Sequence, residues 1–319
     1  MDAENGKTRY LLTWLDADTL ILPASLLPIR RRMEDVLERP KEQVEIDMWL
    51  ESPGGDANTA YKLALMLRDA AATVRVVVPD YAKSAATLLA LVGDEIYLTP
   101  GAELGPLDAQ MPEEGSLTGS TSALNIARAA DEVARDAVSL AVAGGADLLN
   151  VTGLSRAETL NAMLGFSATF SEPLVRQLDP KLVHHAKLML RVTARYAERL
   201  LTLNGNSRAT QIADKLVENF PTHGYVIAQE EALQLGLPVH PFDSYDLAHT
   251  ARAVHRVAED GTAQIRFGRM DEFLEASDVT DEKEKGGVDQ DDQPEEPQTA
   301  FARKPGPDGA QAADATHPQ

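Results

Sequence analysis

The sequence predicts an α/β fold built on a parallel sheet, and three observations carry that prediction. Short apolar runs at about 44–51, 74–79 and 95–98 alternate with helical patterns at about 57–71 and 84–92. Alternation of this βαβαβ kind pairs strands in parallel through right-handed crossovers. Glycine, proline and aspartate punctuate the carboxyl ends of these runs, where open α/β sheets place their sites. With 319 residues, 44% of them hydrophobic, the chain also has material for one sizeable core.

Taken in order, Thr8–Leu15 reads as a first or edge strand. Residues 24–39 read as a helix carrying Arg30, Arg31 and Arg32, which point in different directions around it and so form a solvated face rather than an anion site. The strand at 44–51 runs into Ser52-Pro-Gly54-Gly55-Asp56 and then a helix. Two glycines at such a turn let backbone amides approach a ligand, and they also serve an ordinary tight turn. The run Val76-Val-Val-Pro-Asp-Tyr-Ala-Lys83-Ser84-Ala85-Ala-Thr reads as strand, sharp turn and helix, with the Ser84 hydroxyl at the first helical turn. Two readings of Ser84 follow: a side-chain N-cap, or a nucleophile beside unpaired amides that stabilise developing negative charge.

Leu104-Gly-Pro-Leu-Asp108-Ala-Gln110 is a turn after the third strand, where Asp108 either shapes the turn or faces a ligand. Residues 112–172 hold a polar loop, an alanine-rich helix near 122–143, a Gly144–Gly145 break and a helix from Ser155, with Glu158 at the capping-box position. This part reads as an insertion, either a lid or an oligomer contact. A longer helix starts at Asp179-Pro180, with apolar positions at 182, 186, 190, 193, 197 and 200 in helical period. The domain reading is 1–250 as one domain, 251–276 as an extension and 277–319 as a tail. The last 43 residues carry eleven Asp or Glu against four Lys or Arg and almost no large apolar side chain. Such a composition predicts a disordered acidic tail.

Ser52-Pro-Gly-Gly after a strand, Pro79-Asp-Tyr-Ala-Lys-Ser-Ala-Ala-Thr-Leu-Leu-Ala-Leu91, Gly93-Asp-Glu-Ile-Tyr97 and Leu104-Gly-Pro-Leu-Asp-Ala-Gln110 occur in this order. Together they resemble the serine dehydrogenase proteinase family, a signal peptide peptidase A-like branch of the Clp protease/crotonase superfamily. The resemblance is close over about 44–111, and Pro221-Thr-His223-Gly-Tyr with Glu230–Pro238 is similar to the family's closing segment. It implies a repeated β-β-α (ββα) superhelix with a parallel sheet and a helical C-terminal part. It also implies a serine endopeptidase without metal or organic cofactor. In that reading Ser84 is the nucleophile, the amides of Gly55 and Ala85 form the oxyanion hole, and Gly54, Asp56 and Asp108 meet the substrate.

The resemblance also implies a Ser-Lys dyad, its lysine on a helix after the nucleophile; such a lysine accepts a proton at neutral pH only with its pKa lowered by burial or a neighbouring cation. Lys187 is the first candidate, because its spacing from Asn204-Gly-Asn206 is similar to that in the family, and Lys181 is the second. His223 is the alternative base, as are His184 and His185, because imidazole titrates near working pH. Lys83 adjoins Ser84, and adjacency sends the two side chains apart.

Composition narrows the partners. The absence of cysteine excludes disulfides, thiol catalysis and thiolate metal sites. A net charge of −20 argues against general nucleic-acid binding. The polar start carries no signal-peptide pattern and no apolar stretch reaches the length of a membrane span, so a cytoplasmic protein acting on a protein or peptide substrate is expected. Homo-oligomerisation is implied by the resemblance alone. Two rival functions use the same parts: a crotonase-like acyl-CoA enzyme with a carboxylate acid/base, and a catalytically silent scaffold that binds peptides or partners.

Overall fold

The computed structural model describes residues 6–15, 19–112, 120–251, 254 and 265–273. The acidic tail and most of the 251–276 extension lie outside these residues. The strands are β1 (Thr8–Leu15), β2 (Val44–Glu51), β3 (Thr73–Val78), β4 (Tyr81–Ala82), β5 (Glu95–Leu98), β6 (Glu103–Leu104), β7 (Gln110–Pro112), β8 (Ser120–Ser122), β9 (Val239–Pro241) and β10 (Ile265–Arg269). The helices are α1 (Pro23–Arg32), α2 (Glu34–Leu37), α3 (Ala57–Ala70), α4 (Ala85–Ala90), α5 (Ala123–Val151), α6 (Arg156–Val175), α7 (Pro180–Leu203), α8 (Ala209–Glu218) and α9 (Gln229–Leu235).

Six strands form the main sheet in the order β10-β1-β2-β3-β5-β9. Pairing is parallel from β1 through β9, and β10 closes the β1 edge antiparallel. This is the mostly parallel α/β architecture that the alternation of strands and helices predicts. The period-2 pattern sorts each strand's side chains onto two faces. Ile46, Met48 and Leu50 of β2 enter the larger core with Leu63 and Leu67 of α3, while Trp49 enters a smaller cluster on the other face with Leu11, Val77, Tyr97 and Tyr245. On that second face Asp47 is fully buried and accepts from Arg9 Nε at 2.7 Å and from the Tyr245 hydroxyl. A buried carboxylate is tolerated where such donors satisfy it.

Two elements depart from the sequence reading. The expected helix at 24–39 is divided at Met33, whose ψ of −2° ends α1 before α2 begins. The expected break at Gly144–Gly145 is absent, and α5 runs through both glycines for 29 residues. A Cβ on Gly144 would lie 2.3 Å from Met163 Cε. The glycine therefore permits close packing of α5 on α6, and tertiary contact outweighs the propensity cost of about 1 kcal/mol. The predicted capping box at Ser155 and Glu158 is present.

Candidate active site

The ends of β2 and β4 meet at one point, and Ser52 is what brings them together. Its amide donates to the Tyr81 carbonyl at 3.2 Å, and its own carbonyl accepts from the Lys83 amide at 3.1 Å. The fully buried Ser52 hydroxyl donates to the Thr19 carbonyl at 2.9 Å and accepts from the Gly54 amide at 3.2 Å. A serine before Pro-Gly-Gly thus folds the turn back on itself and ties it to the strand leading into Ser84. Its role was not read from the sequence, where it stood only as part of a motif.

Gly54 and Gly55 have φ of 111° and 142°, a region in which side chains are strained. Space forbids a side chain as well. A Cβ at Gly54 would lie 2.7 Å from the Lys83 carbonyl oxygen and 3.0 Å from Ser84 Cβ, and one at Gly55 would lie 2.4 Å from the Ile21 oxygen. Ile21 bridges this turn in parallel: its amide donates to Gly54 O at 2.7 Å, and its carbonyl accepts from the Asp56 amide at 2.8 Å. One edge of the diglycine turn is therefore already paired within the chain. The Gly55 amide is left without a hydrogen bond among the described residues.

Ser84 is the only non-glycine residue with positive φ among the described residues, at φ 50° and ψ −115°. It precedes α4 and makes no side-chain cap, so the N-cap reading does not hold. Backbone strain of this kind costs roughly 1–3 kcal/mol and persists only where its surroundings impose it. Here those surroundings are specific. The Thr87 hydroxyl donates to the Ala82 carbonyl at 2.6 Å and accepts from the Gly105 amide at 3.0 Å, while the Gly105 amide also reaches Ala82 O at 3.0 Å. Ser84 remains partly exposed, its hydroxyl is unpaired among the described residues, and the adjacent Ala85 amide is unpaired too.

Lys83 runs the other way, as expected from adjacency. Its side chain passes over Gly105, pairs with Glu103 and donates to the Tyr225 carbonyl at 3.3 Å. Leu104 and Ile227 exchange both backbone hydrogen bonds at 3.0 Å. These contacts bring the Pro221–Tyr225 turn beside the strand that abuts the serine turn. His223 belongs to that turn, and its Nδ1 is buried without a hydrogen-bond partner.

The other expected site residues lie as follows. Asp56 caps α3, accepting from the Thr59 amide at 2.8 Å and from the Thr59 hydroxyl at 2.5 Å. Asp108 is 2% exposed and accepts from the Leu124 amide at 3.0 Å, which ties the turn to the start of α5. Lys187 is half-exposed on α7 and pairs with Asp131 of α5 at 3.3 Å; none of its described contacts reaches the serine turn. Lys181, His184 and His185 are exposed. Cavities of about 860, 430 and 410 Å³ are lined by other residues, and none includes Ser84.

Residues 31–144 match the family model of the ClpP-like SDH-type serine proteinases. The resemblance is thereby borne out over the part of the chain that holds Gly54, Gly55, Ser84 and Asp108. Two uncharacterized proteins of Methanocaldococcus jannaschii are similar to this chain. One is 28% identical over 200 residues, covering 63% of this chain and 54% of the relative. The other is 39% identical over 70 residues, covering 22% and 24%. The chain thus spans about half the length of the first relative and a quarter of the second. A solved structure, a mutant of the 1510-N membrane-bound stomatin-specific protease, aligns at 15% identity with a TM-score of 0.41, over 73% of this chain and 79% of that one. In this chain, among the described residues, no helix is long and apolar enough to cross a membrane.

Proposed function

We propose that this protein hydrolyses peptide bonds by a serine mechanism centred on Ser84. The observation that supports it most is the strained, partly exposed Ser84 held against a diglycine turn, with the amides of Gly55 and Ala85 unpaired. In this reading the Ser84 oxygen attacks the scissile carbonyl carbon, and the carbonyl oxygen becomes an anion held by those two N–H groups. The proton of Ser84 passes to a base and from there to the leaving amine. Water then hydrolyses the acyl-serine ester, releasing the second product and restoring the hydroxyl.

For the base, the surroundings favour His223 over Lys187. The Lys83–Tyr225 and Leu104–Ile227 contacts tie the His223 turn to the strand beside the serine turn, and its Nδ1 makes no hydrogen bond among the described residues. Lys187 sits in an exposed ion pair with Asp131, and none of its described contacts reaches the serine turn. Gly54, Asp56 and Asp108 then act by shaping the site: Asp56 and Asp108 fix the starts of α3 and α5 on either side of it.

The test is hydrolysis of a quenched-fluorescent peptide library by wild type, Ser84→Ala, His223→Gln and Lys187→Met. Loss with the first two and retention with the third is the expected pattern. Activity that survives Ser84→Ala removes the serine mechanism; loss with Lys187→Met and retention with His223→Gln restores the lysine dyad. Turnover of an acyl-CoA ester that is indifferent to Ser84→Ala would identify the crotonase-like alternative.

A further inference from the structure

Two cavities join across α3. One, of about 860 Å³, lies between α3 and α7 and is lined by Tyr61, Leu65, Arg199 and Leu203 among others. The second, of about 410 Å³, lies between α1 and α3, where Leu27 and Arg30 face Lys62 and Leu65. Leu65 lines both, so the two make one groove over three helices. Its apolar rim is open: Leu27 on α1 and Leu203 on α7 are both more than half-exposed. Tyr61 stacks on Tyr196 with ring centroids 4.1 Å apart, and the Tyr196 hydroxyl donates to Asn58 Oδ1 at 2.9 Å, which fixes α3 against α7. The Tyr61 hydroxyl itself makes no hydrogen bond among the described residues.

Charge selects the occupant. The whole chain carries 50 Asp or Glu against 30 Lys or Arg, and the groove reverses that balance. Arg30, Lys62, Arg195 and Arg199 line it against two carboxylates, Asp69 and Glu198. Glu198 is already held by Arg195 at 2.6 Å and accepts from the Thr210 hydroxyl at 2.8 Å. The side chains of Arg30, Lys62 and Arg199 make no ion pair or hydrogen bond among the described residues. Three unengaged cations beside exposed leucines suit a ligand that is anionic and apolar at once. The walls also set its form. They are helices, whose backbone groups are spent internally, so no strand edge is offered to an extended peptide; a helix laid between helices is read through side chains spaced i, i+3, i+4 and i+7. An anionic bilayer would meet a whole face of a chain that carries −20 and be repelled by it, whereas one helix is narrow enough to meet the groove alone.

We infer that the groove across α1, α3 and α7 is a docking site for an acidic amphipathic helix of a partner protein. Its leucines would enter beside Leu65, and its carboxylates would meet Arg30, Lys62 and Arg199. None of these residues belongs to the Ser84 turn, so the site stands whether or not that turn hydrolyses peptides.

Fluorescence anisotropy on the full chain tests it. The probe is a fluorescein-labelled helical peptide of about 20 residues with Leu along one face and Glu elsewhere, and its control is the same composition scrambled so that no apolar face forms. Micromolar binding of the probe, at least about 10-fold tighter than the control and weakening as salt rises from about 50 to about 300 mM, is expected. Lys62→Glu with Arg199→Glu should weaken it at least about 10-fold with unchanged circular dichroism, and Ser84→Ala should bind as wild type does. Because the chain has no cysteine, Leu27→Cys, Leu203→Cys and, on the exposed end of α5, Val151→Cys each introduce a single thiol. A bromoacetylated probe is expected to alkylate one or both groove thiols at least about 10-fold faster than the one at 151, a readout that survives even if the double variant unfolds. A probe that binds no better than its scramble overturns the inference, as does binding that ignores the charge reversals or groove thiols that react no faster than the control thiol. Wild type that ignores the probe and sediments with anionic vesicles replaces the helix with a lipid surface. A mass that falls from a multiple of 34.5 kDa to the monomer in the double variant replaces it with a second copy of the chain.

Discussion

The serine turn and the α5–α6 hairpin solve opposite packing problems. At the turn, backbone meets backbone so closely that Gly54 and Gly55 admit no side chain, and Ser84 is held in a conformation its residue type disfavours. At the hairpin, helices 29 and 20 residues long bury little beyond alanine, serine and threonine between them and turn Leu and Phe outward. The first region holds strain at Ser84. The second leaves large apolar side chains exposed. Close backbone packing and exposed apolar side chains are thereby separated in the chain, and each can be altered without the other.

The largest expected effect belongs to Ser84→Ala, which should lower peptide hydrolysis by at least about 10³-fold, since removing a nucleophile forfeits the covalent route. Steady-state rates, with the circular dichroism of the variant unchanged, would check it. Gly54→Ala comes next. The new methyl meets the Lys83 carbonyl at 2.7 Å in a positive-φ backbone, so a loss of about 2–4 kcal/mol is expected, read as a shift of the urea midpoint. A variant as stable as wild type would mean that the two turns are looser than their geometry states.

The hairpin counterpart sharpens the contrast. In Gly144→Ala the methyl meets only the far end of Met163, a flexible side chain, and alanine improves helix propensity by about 1 kcal/mol. A change within about 1 kcal/mol is expected, measured in the same denaturant titration. Loss as large as that of Gly54→Ala would erase the distinction between the two regions.

The smallest effect is a pH-dependent one on the far side of the sheet. The hydrogen bonds from Arg9 hold the Asp246 carboxyl below its ordinary value of 3.8. A group whose pKa is lowered on folding adds stability above the unfolded pKa, and loses it as pH falls through the folded value. Asp246→Asn should therefore melt slightly below wild type at neutral pH, with the gap closing below about pH 4. Asp246 is well exposed, so the gap should also shrink in high salt.

The sheet was legible because its strands are short apolar runs of strand length set between helical patterns: the expected 44–51 and 95–98 coincide with β2 and β5. The approach of Gly54 to Ser84 was not legible from spacing. It depends on Ser52 bridging β2 to β4, a contact made across 30 residues. Ser84 at a helix start reads as a cap or as a nucleophile, and its positive φ and missing cap bond remove the first reading. At Gly144 propensity pointed to a break, while the closeness of Met163 on another helix kept α5 continuous. Asp56 was expected at the substrate and Asp108 either there or shaping a turn; both carboxylates accept from helix-start amides.

Intact-mass spectrometry after exposure to a fluorophosphonate tests the central claim most directly, because it asks whether Ser84 is a nucleophile without requiring a known substrate. One adduct per chain on wild type and none on Ser84→Ala is the predicted result. A folded wild-type chain that takes up no adduct, or a Ser84→Ala chain that is still labelled, would contradict it.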